Sequence, residues 1–428
     1  MRCFCVLALS LCLLGCKRPD DGQTEIQYSF WGSTRQMEVE KSVIVAFEKA
    51  NPDIRIRMLP VGMRYTEKIQ AMMIGNVAPD VIMVELTFYD EWAARGVLAD
   101  LTELARALEE EAPLMPAAEK AFKRDGRFYA IPVNAHGQVL YMNLDVLKKA
   151  GVAVPAEGWS WSELLELGPR LSRRNGNPDA PTDFMMLMPN PSILFFAYGG
   201  KLFDDPANPK IVTANSKESR AAFQLMRDFY GSGYVVPTDI SSAEGTYQLF
   251  RDGRIAFYIS GRWATPELAG QTDFDWDVTK IPSGPHGAVT QLGGTALAVW
   301  SGSRHSEAAK RFIEFYASEE GVRIVTQGGR YVPVSRKAAF GEEFLALRPP
   351  ESMMRFTETM ETGAGQIFLY APGQAQITRI FGGRVSQALN LPNVSTEDVV
   401  TGLDRDLKRW LDRRDRRALT SDSKEENP

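Results

Sequence analysis

The chain of 428 residues sets 49 Lys and Arg against 54 Asp and Glu, a formal net charge of −5, with 44% of its residues apolar. This is the balance of an ordinary soluble globular protein, and it offers no basic field for nucleic acid: "RWLDRRDRR" near the C-terminus alternates its charges as a solvated helix end does. The length accommodates two domains.

Arg2 precedes an almost unbroken apolar run from Cys3 to Leu14. The run is too short for a bilayer, which takes roughly 20 apolar residues, and has the layout of a secretion signal. Its end, "LLGC", resembles the lipobox of bacterial lipoproteins, where the cysteine takes a diacylglycerol before cleavage. The resemblance implies a signal peptide over 1–16 and lipidation of Cys16. Leu14 departs from the small residue usual there, and an ordinary signal peptide cut nearby is the alternative. All four cysteines (Cys3, Cys5, Cys12, Cys16) lie in this segment, so the mature chain has no internal disulfide to form.

"EIQYSFW" (25–31) alternates as a strand. A helix follows, capped by Ser33 or Thr34, with Val39, Val43 and Phe47 on one face and Asn51-Pro52 as its stop. "IRIRMLPV" is a second strand, "YTEKIQAMMIGN" a second helix, and "PDVIMVE" a continuous apolar strand of the kind both faces of a parallel sheet bury. Short links between these elements predict right-handed βαβ units and an open α/β sheet. Ligands sit at the carboxyl ends of strands in such sheets, where Trp31-Gly32 and Glu85 lie.

Further on, "GRFYAIPV" and "QVLYMNLDVL" read as short strands around "NAHG", and "SWSELLELGPRLSRRNG" as helical. "SKESRAAFQLMRDFYGSG" is a strong helix, and "GRIAFYISGRW" a strand that ends in a tryptophan. "WDVTKIPSGPHG", rich in Pro and Gly, reads as a crossover. "GGTALAVWSGS" is a strand that makes Trp300 a core residue, and "HSEAAKRFIEFYASEEGVRIVTQGG" a helix. The tail "SDSKEENP" is polar and reads as disordered.

The order of these segments resembles the extracellular solute-binding proteins of ABC importers, in the sugar-binding branch. The resemblance covers nearly all of 25–412. It rests on "FWG" ending the first strand, "FEKANPDIRIRMLPV", "KIQAMMIGNVAPDVIMVE", "FYAIPVNAHGQVLYMNLDVLKKAGV", "GRIAFYISGRW", "LGGTALAVWSGSRHSEAAKRFIEF" and "GGRYVPVSRKA". It implies a two-lobed periplasmic-binding-protein fold of α/β class that closes about a hinge. Lobe one would comprise 25–132 plus 283–334, lobe two 135–281 plus 335–412, and 413–428 would be a polar tail. "IPVN", "IPSGP" and "YVPVS" would be the crossings.

The resemblance also implies a ligand site. Trp263 ends the "YISGRW" strand where relatives place a ligand-contacting tryptophan, and Glu85 matches a position that holds a ligand hydroxyl. Sugars suit such a set, since rings match their C–H faces and carboxylates or amides their hydroxyl rim. Trp31 and Gly32 end the first strand at the cleft. Asn134 and His136 follow the first crossing. Gly293 and Gly294 form a loop where backbone approaches the ligand, although a turn needing positive φ would explain them equally. Tyr331 follows "GGR". Tyr370 stands where the glycerol-3-phosphate branch carries a phosphate-anchoring arginine, which favours a neutral saccharide, while Arg262 and Arg330 keep an anionic sugar or a glycerophosphodiester open.

The implied function is a lipid-anchored, monomeric saccharide receptor serving an ABC permease at the cell envelope, with no cofactor and no metal. A sensor without transport would share every residue named. A glycosidase needs two facing carboxylates, and only Glu85 is in view. Iron and polyamine receptors are disfavoured by the absence of a Tyr-Tyr pair and of further carboxylates beyond Asp90. "GxSxG", "HExxH" and phosphate-loop motifs are absent.

Overall fold

In the computed structural model the residues described are 22–32, 34–173, 178–206, 208–236, 245–270, 272–290, 293–329, 331–362, 364–365 and 373–425. Cys16, Arg330 and Tyr370 lie outside them.

Ten strands carry the layout: β1 (Thr24–Phe30), β2 (Ile54–Pro60), β3 (Val81–Glu85), β4 (Ile131–His136), β5 (Val139–Asn143), β6 (Phe184–Leu187), β7 (Val235–Val236), β8 (Ile255–Ser260), β9 (Trp276–Thr279) and β10 (Gly293–Val299). The helices that matter here are α1 (Thr34–Ala50), α2 (Tyr65–Ile74), α3 (Leu86–Ala94), α4 (Lys217–Gly231), α5 (Ser306–Ala317), α6 (Glu319–Gln327), α7 (Gln374–Asn390) and α8 (Thr396–Glu425).

The first sheet has the order β2-β1-β3-β10-β4. Its pairs β1–β2 and β1–β3 are parallel, whereas β10 runs antiparallel to both β3 and β4. The βαβ pattern foresees the parallel part; β10, entering from far along the chain, makes the sheet mixed. Val81, Ile82, Met83 and Val84 are all buried, so both sheet faces are covered, and Ile26, Phe30, Val43, Phe47, Leu297 and Phe312 complete this core. Each such side chain withdrawn from water contributes about 1.5–3 kcal/mol.

The second sheet has the order β9-β5-β8-β6-β7. Consecutive residues of β5 face opposite ways. Leu140 and Met142 join a core with Trp161, Phe195, Phe229, Phe381 and Trp410, while Tyr141 joins Phe250, Tyr258, Trp276, Val332, Phe344 and Phe356 on the other face. Helices α7 and α8 close the first of these cores. The architecture is a mixed α/β protein built on two five-stranded sheets, each wrapped by helices.

Several expectations need correction. Residues 276–279 form β9 rather than part of a crossover, because Trp276 and Val278 pack on Tyr141 and its neighbours. Residues 283–290 do not return to the first sheet: Ile281 and Val289 sit in the core with Leu140 and Met142, and the His286 amide donates to the Ala197 carbonyl at 3.0 Å. Strand β4 stays in the first sheet through His136, past the boundary expected at 132–135. The helix expected from His305 onward is two helices, broken at Ser318, whose extended backbone and hydroxyl cap α6. Gly321 is required there, since a Cβ would meet the Phe315 carbonyl oxygen at 2.3 Å. The last helix continues to Glu425, so the polar tail is helical from 413 to 425, including 421–425 of the stretch expected to be disordered.

Candidate functional site

The strand directions bring several candidates to one edge. Trp31, Glu85 and His136 lie at the carboxyl ends of β1, β3 and β4, and Gly293 opens the antiparallel β10, which places it on the same edge. The row therefore reads Trp31, Glu85, Gly293, His136 across four strands, roughly 14 Å at the usual spacing between strands.

Trp31 is half-buried, its ring edge-on to Tyr65 with 4.8 Å between centroids. The Tyr65 hydroxyl donates to the Ser29 carbonyl at 3.2 Å and shares a 2.9 Å hydrogen bond with the Ser29 hydroxyl, which fixes the ring beneath the indole. Tyr65 was legible from sequence only as the start of an amphipathic helix. Gly32 has φ +154°, and a Cβ there would lie 2.5 Å from Cβ and Cγ of Gln36. Only glycine lets α1 begin so close behind the turn.

Glu85 precedes α3 without capping it, and its carboxylate makes no hydrogen bond or ion pair among the described residues. The residue reaches solvent, yet desolvation by the surrounding walls raises the carboxyl above its usual range. Neither a capping role nor a salt bridge accounts for it. Asp90, by contrast, is paired with Arg124 at 3.5 Å.

Asn134 is not presented to a ligand. It is buried, its Oδ1 accepts from the Thr295 amide at 3.2 Å, and its own amide donates to the Thr295 hydroxyl. A register shift between Thr295 and Ala296 makes room for this bond. Gly293 and Gly294 are needed for close approach, not for a turn, since neither has positive φ. A Cβ on Gly293 would lie 2.1 Å from His136 Nε2, and one on Gly294 would lie 2.7 Å from the Asn134 carbonyl oxygen.

His136 stands edge-on to Trp263, with centroids 4.8 Å apart and ring planes at 81°. Burial lowers its imidazole to about 4, so it is neutral near pH 7. Its Nδ1 is buried with no hydrogen-bond partner among the described residues. Such an atom takes its hydrogen bond from water or a bound group.

Trp263 lies in the short 3₁₀ turn after β8, not in the strand itself. The turn is held from below by the Tyr141 hydroxyl, 2.8 Å from the Gly261 carbonyl. Gly261 admits the indole, because a Cβ there would come within 1.9 Å of its ring. Tyr331 is half-buried against the first core. Arg262 is 3% exposed, with its guanidinium over the Phe356 ring at 5.9 Å. Trp300 is buried, as its strand position foretells.

Among the described residues no cluster of three or more His, Cys, Asp and Glu has metal-binding geometry, and no helix is long and apolar enough to cross a membrane. A cavity of about 280 Å³ lies away from this row, between the helix Thr102–Glu111, α6 and the segment 334–344.

Comparison with known proteins agrees with the architecture. A family model described as bacterial extracellular solute-binding protein matches residues 42–346. An arabinooligosaccharide-binding protein from Bacillus subtilis is 25% identical over 351 residues, covering 74% of this chain and 76% of its own. An ABC substrate-binding protein from Listeria monocytogenes, solved in complex with cycloalternan, superposes with a TM-score of 0.79 at 22% identity over 91% of this chain and 99% of that one. UgpB from Mycobacterium tuberculosis, in complex with glycerophosphocholine, gives 0.76 at 22% identity over 92% and 100%.

Proposed function

Because the chain belongs to the family of bacterial extracellular solute-binding proteins, we propose that it is a receptor for a neutral saccharide, bound between its two sheets and delivered to an ABC permease. One observation carries the choice of ligand. Half-buried tryptophans stand at both ends of a strand-edge row on which the Glu85 carboxylate and the His136 Nδ1 have no partner among the described residues. Indoles match the C–H faces of a sugar, while the carboxylate and the imidazole match its hydroxyls. The arabinooligosaccharide and cycloalternan named for relatives and neighbours support an oligosaccharide.

In this reading Trp31, Gly32, Glu85, His136, Trp263, Gly293, Gly294 and Tyr331 line the site, with Tyr370 a further candidate. Asn134 supports the row through Thr295. Lobe one takes 25–136 plus 293–331, and lobe two 139–290 plus 332–412. A ligand that touches both lobes shifts the population towards the closed form. The chain acts as a monomer, held by lipid on Cys16 at the outer face of the cytoplasmic membrane or in the periplasm. A binding role, as in its family, fits the row better than glycoside hydrolysis, which needs a second carboxyl about 5–9.5 Å from the first, whereas among the described residues the row holds one. Buried Arg262 and the glycerophosphocholine-bound neighbour favour, as the second reading, an anionic sugar or a phosphodiester.

The test is thermal unfolding of the full chain with maltotriose, an arabinooligosaccharide, an oligouronide or glycerophosphocholine. A ligand present at 100 times its Kd stabilises by about 2.7 kcal/mol. A shift with a neutral sugar is expected. A shift only with the charged ligands would move the assignment to the second reading, and none with any of them would overturn both.

A further inference from the structure

The cavity of about 280 Å³ between the helix Thr102–Glu111, α6 and residues 334–344 has walls from two cores. Ile131 belongs with the first sheet, while Val334 and Phe344 pack with Tyr141 of the second. Leu108 and Val322, both half-buried, complete its apolar interior. Backbone pairs fix the wall between them: the Met115 amide donates to the Val334 carbonyl at 2.8 Å, and the Arg336 amide to the Pro113 carbonyl at 3.1 Å. The cavity is separate from the strand-edge row. Ile131 stands five residues before His136 at the other end of β4, roughly 16 Å away.

Its rim is acidic. Among the described residues, Glu109, Glu111, Glu319, Glu342 and Glu343 line it against two cations, Arg323 and Lys337. Lys337 lies 3.8 Å from Glu319, and Glu343 accepts from the Gln327 amide at 3.5 Å. The carboxylates of Glu109, Glu111 and Glu342 make no hydrogen bond or ion pair among the described residues. Lys123, which Glu109 attracts from further off, pairs with Glu119 at 2.7 Å.

The sequence reinforces this charge. The helix "TELARALEEE" puts three glutamates and no basic residue in its last turn. A helix C-terminus carries partial negative charge and favours cations, so the order is the reverse of the stabilising one. Pro113 then follows with no N–H, which leaves the Glu109 carbonyl without its helical donor. Negative charge thus collects beside an apolar hollow. An occupant with an apolar body and a cationic head answers both, its body withdrawn from water and its head kept at the rim, where the charge is paired rather than buried alone.

We propose that this cavity is a second binding site, for a small amphiphilic cation: an ammonium group held at the rim by Glu109, Glu111 and Glu342, on an apolar body seated against Leu108, Ile131, Val322 and Phe344. The site does not rest on the saccharide reading. Its volume lies just under the roughly 300 Å³ at which ligand pockets usually begin, which suits a fragment-sized molecule and not an oligosaccharide.

The experiment titrates the full chain with three probes on one benzyl skeleton, followed by ligand-observed NMR: phenethylammonium, 2-phenylethanol and phenylacetate. The cation is expected to bind about tenfold more tightly than the alcohol, the anion most weakly, and the preference for the cation to shrink in high salt. Replacing Glu109, Glu111 and Glu342 together by Gln should weaken the cation about tenfold and leave the alcohol unchanged. Glu109 is half-buried and the other two are exposed, so the folded chain tolerates the change. Ala338→Leu, which adds carbon to the wall, should weaken cation and alcohol alike. Equal affinity for cation and alcohol, preference for phenylacetate, or no binding of any probe would overturn the proposal. So would cation binding that survives the triple variant but is lost in Glu85→Gln, which would place the amine in the strand-edge row.

Discussion

The imidazole of His136 stands edge-on to the indole of Trp263 with 4.8 Å between their centroids. This contact joins the last residue of β4, in the first sheet, to the turn after β8, in the second. Under the proposed saccharide reading, a ligand resting on Trp263 would meet His136 as well and so touch both sheets.

Trp263→Ala should cost about 2 kcal/mol of saccharide binding, roughly thirtyfold in Kd. Loss of the edge-to-face pair itself costs folding only about 1 kcal/mol. Titration calorimetry beside thermal unfolding checks the split, and a variant that lost stability but not affinity would make Trp263 a packing residue.

Gly293 and His136 fit each other because neither offers a spare atom. In Gly293→Ala the new Cβ comes within 2.1 Å of Nε2, and displacing the ring should cost about 1–3 kcal/mol. Shortening the ring to alanine removes the clash. The double variant Gly293→Ala, His136→Ala should then be more stable than the sum of the two single changes predicts, by about 0.5–3 kcal/mol. Additive losses in a denaturant double-mutant cycle would contradict this close approach.

Much of this row is legible in the sequence, and the exceptions share a cause. Trp31 and Glu85 can be placed because local pattern locates β1 and β3 and strand ends follow from strand limits. Trp263 follows from the apolar run of β8 in the same way. The partner of Asn134 cannot be read, because Thr295 is 161 residues away and meets it only through the antiparallel entry of β10. The reason for Gly293 is hidden likewise, since the clash it avoids belongs to another strand. Glu40 sits in "MEVEKS" between Glu38 and Lys41, where it passes for the polar face of an amphipathic helix; only Tyr316, on α5, reveals it as interior. Strand β9 is masked by the proline and glycines that follow it.

Glu85→Gln separates stability from affinity. Desolvation holds the folded carboxyl above its unfolded value, so this group favours the folded state most at low pH, and the benefit fades as pH rises through its folded value. Desolvation makes the charged form a burden to the ligand-free fold. The amide should leave the ligand-free protein as stable as before or slightly more so, while weakening saccharide binding about tenfold or more by removing a charged acceptor. Calorimetry and unfolding at neutral pH test both halves. A destabilised variant with unchanged affinity would return Glu85 to a structural role.

Glu40 is buried on α1, where the Gln36 amide and the Tyr28 and Tyr316 hydroxyls donate to its carboxylate, and Glu40→Gln should change how stability depends on pH. The carboxyl rises from 4.5 to about 7 on folding, so the native state holds its proton where the unfolded chain has lost it. Stability conferred by that proton is complete below the unfolded value and is withdrawn as pH climbs to the folded one, about 3 kcal/mol in all. The amide cannot ionise, and it still offers an oxygen to the Gln36 amide and to one phenol, with its N–H turned to the other. Denaturant unfolding should therefore find the variant more stable than wild type above about pH 7, with the advantage shrinking steadily in acid. An advantage constant across that range would mean that Glu40 is not titrating.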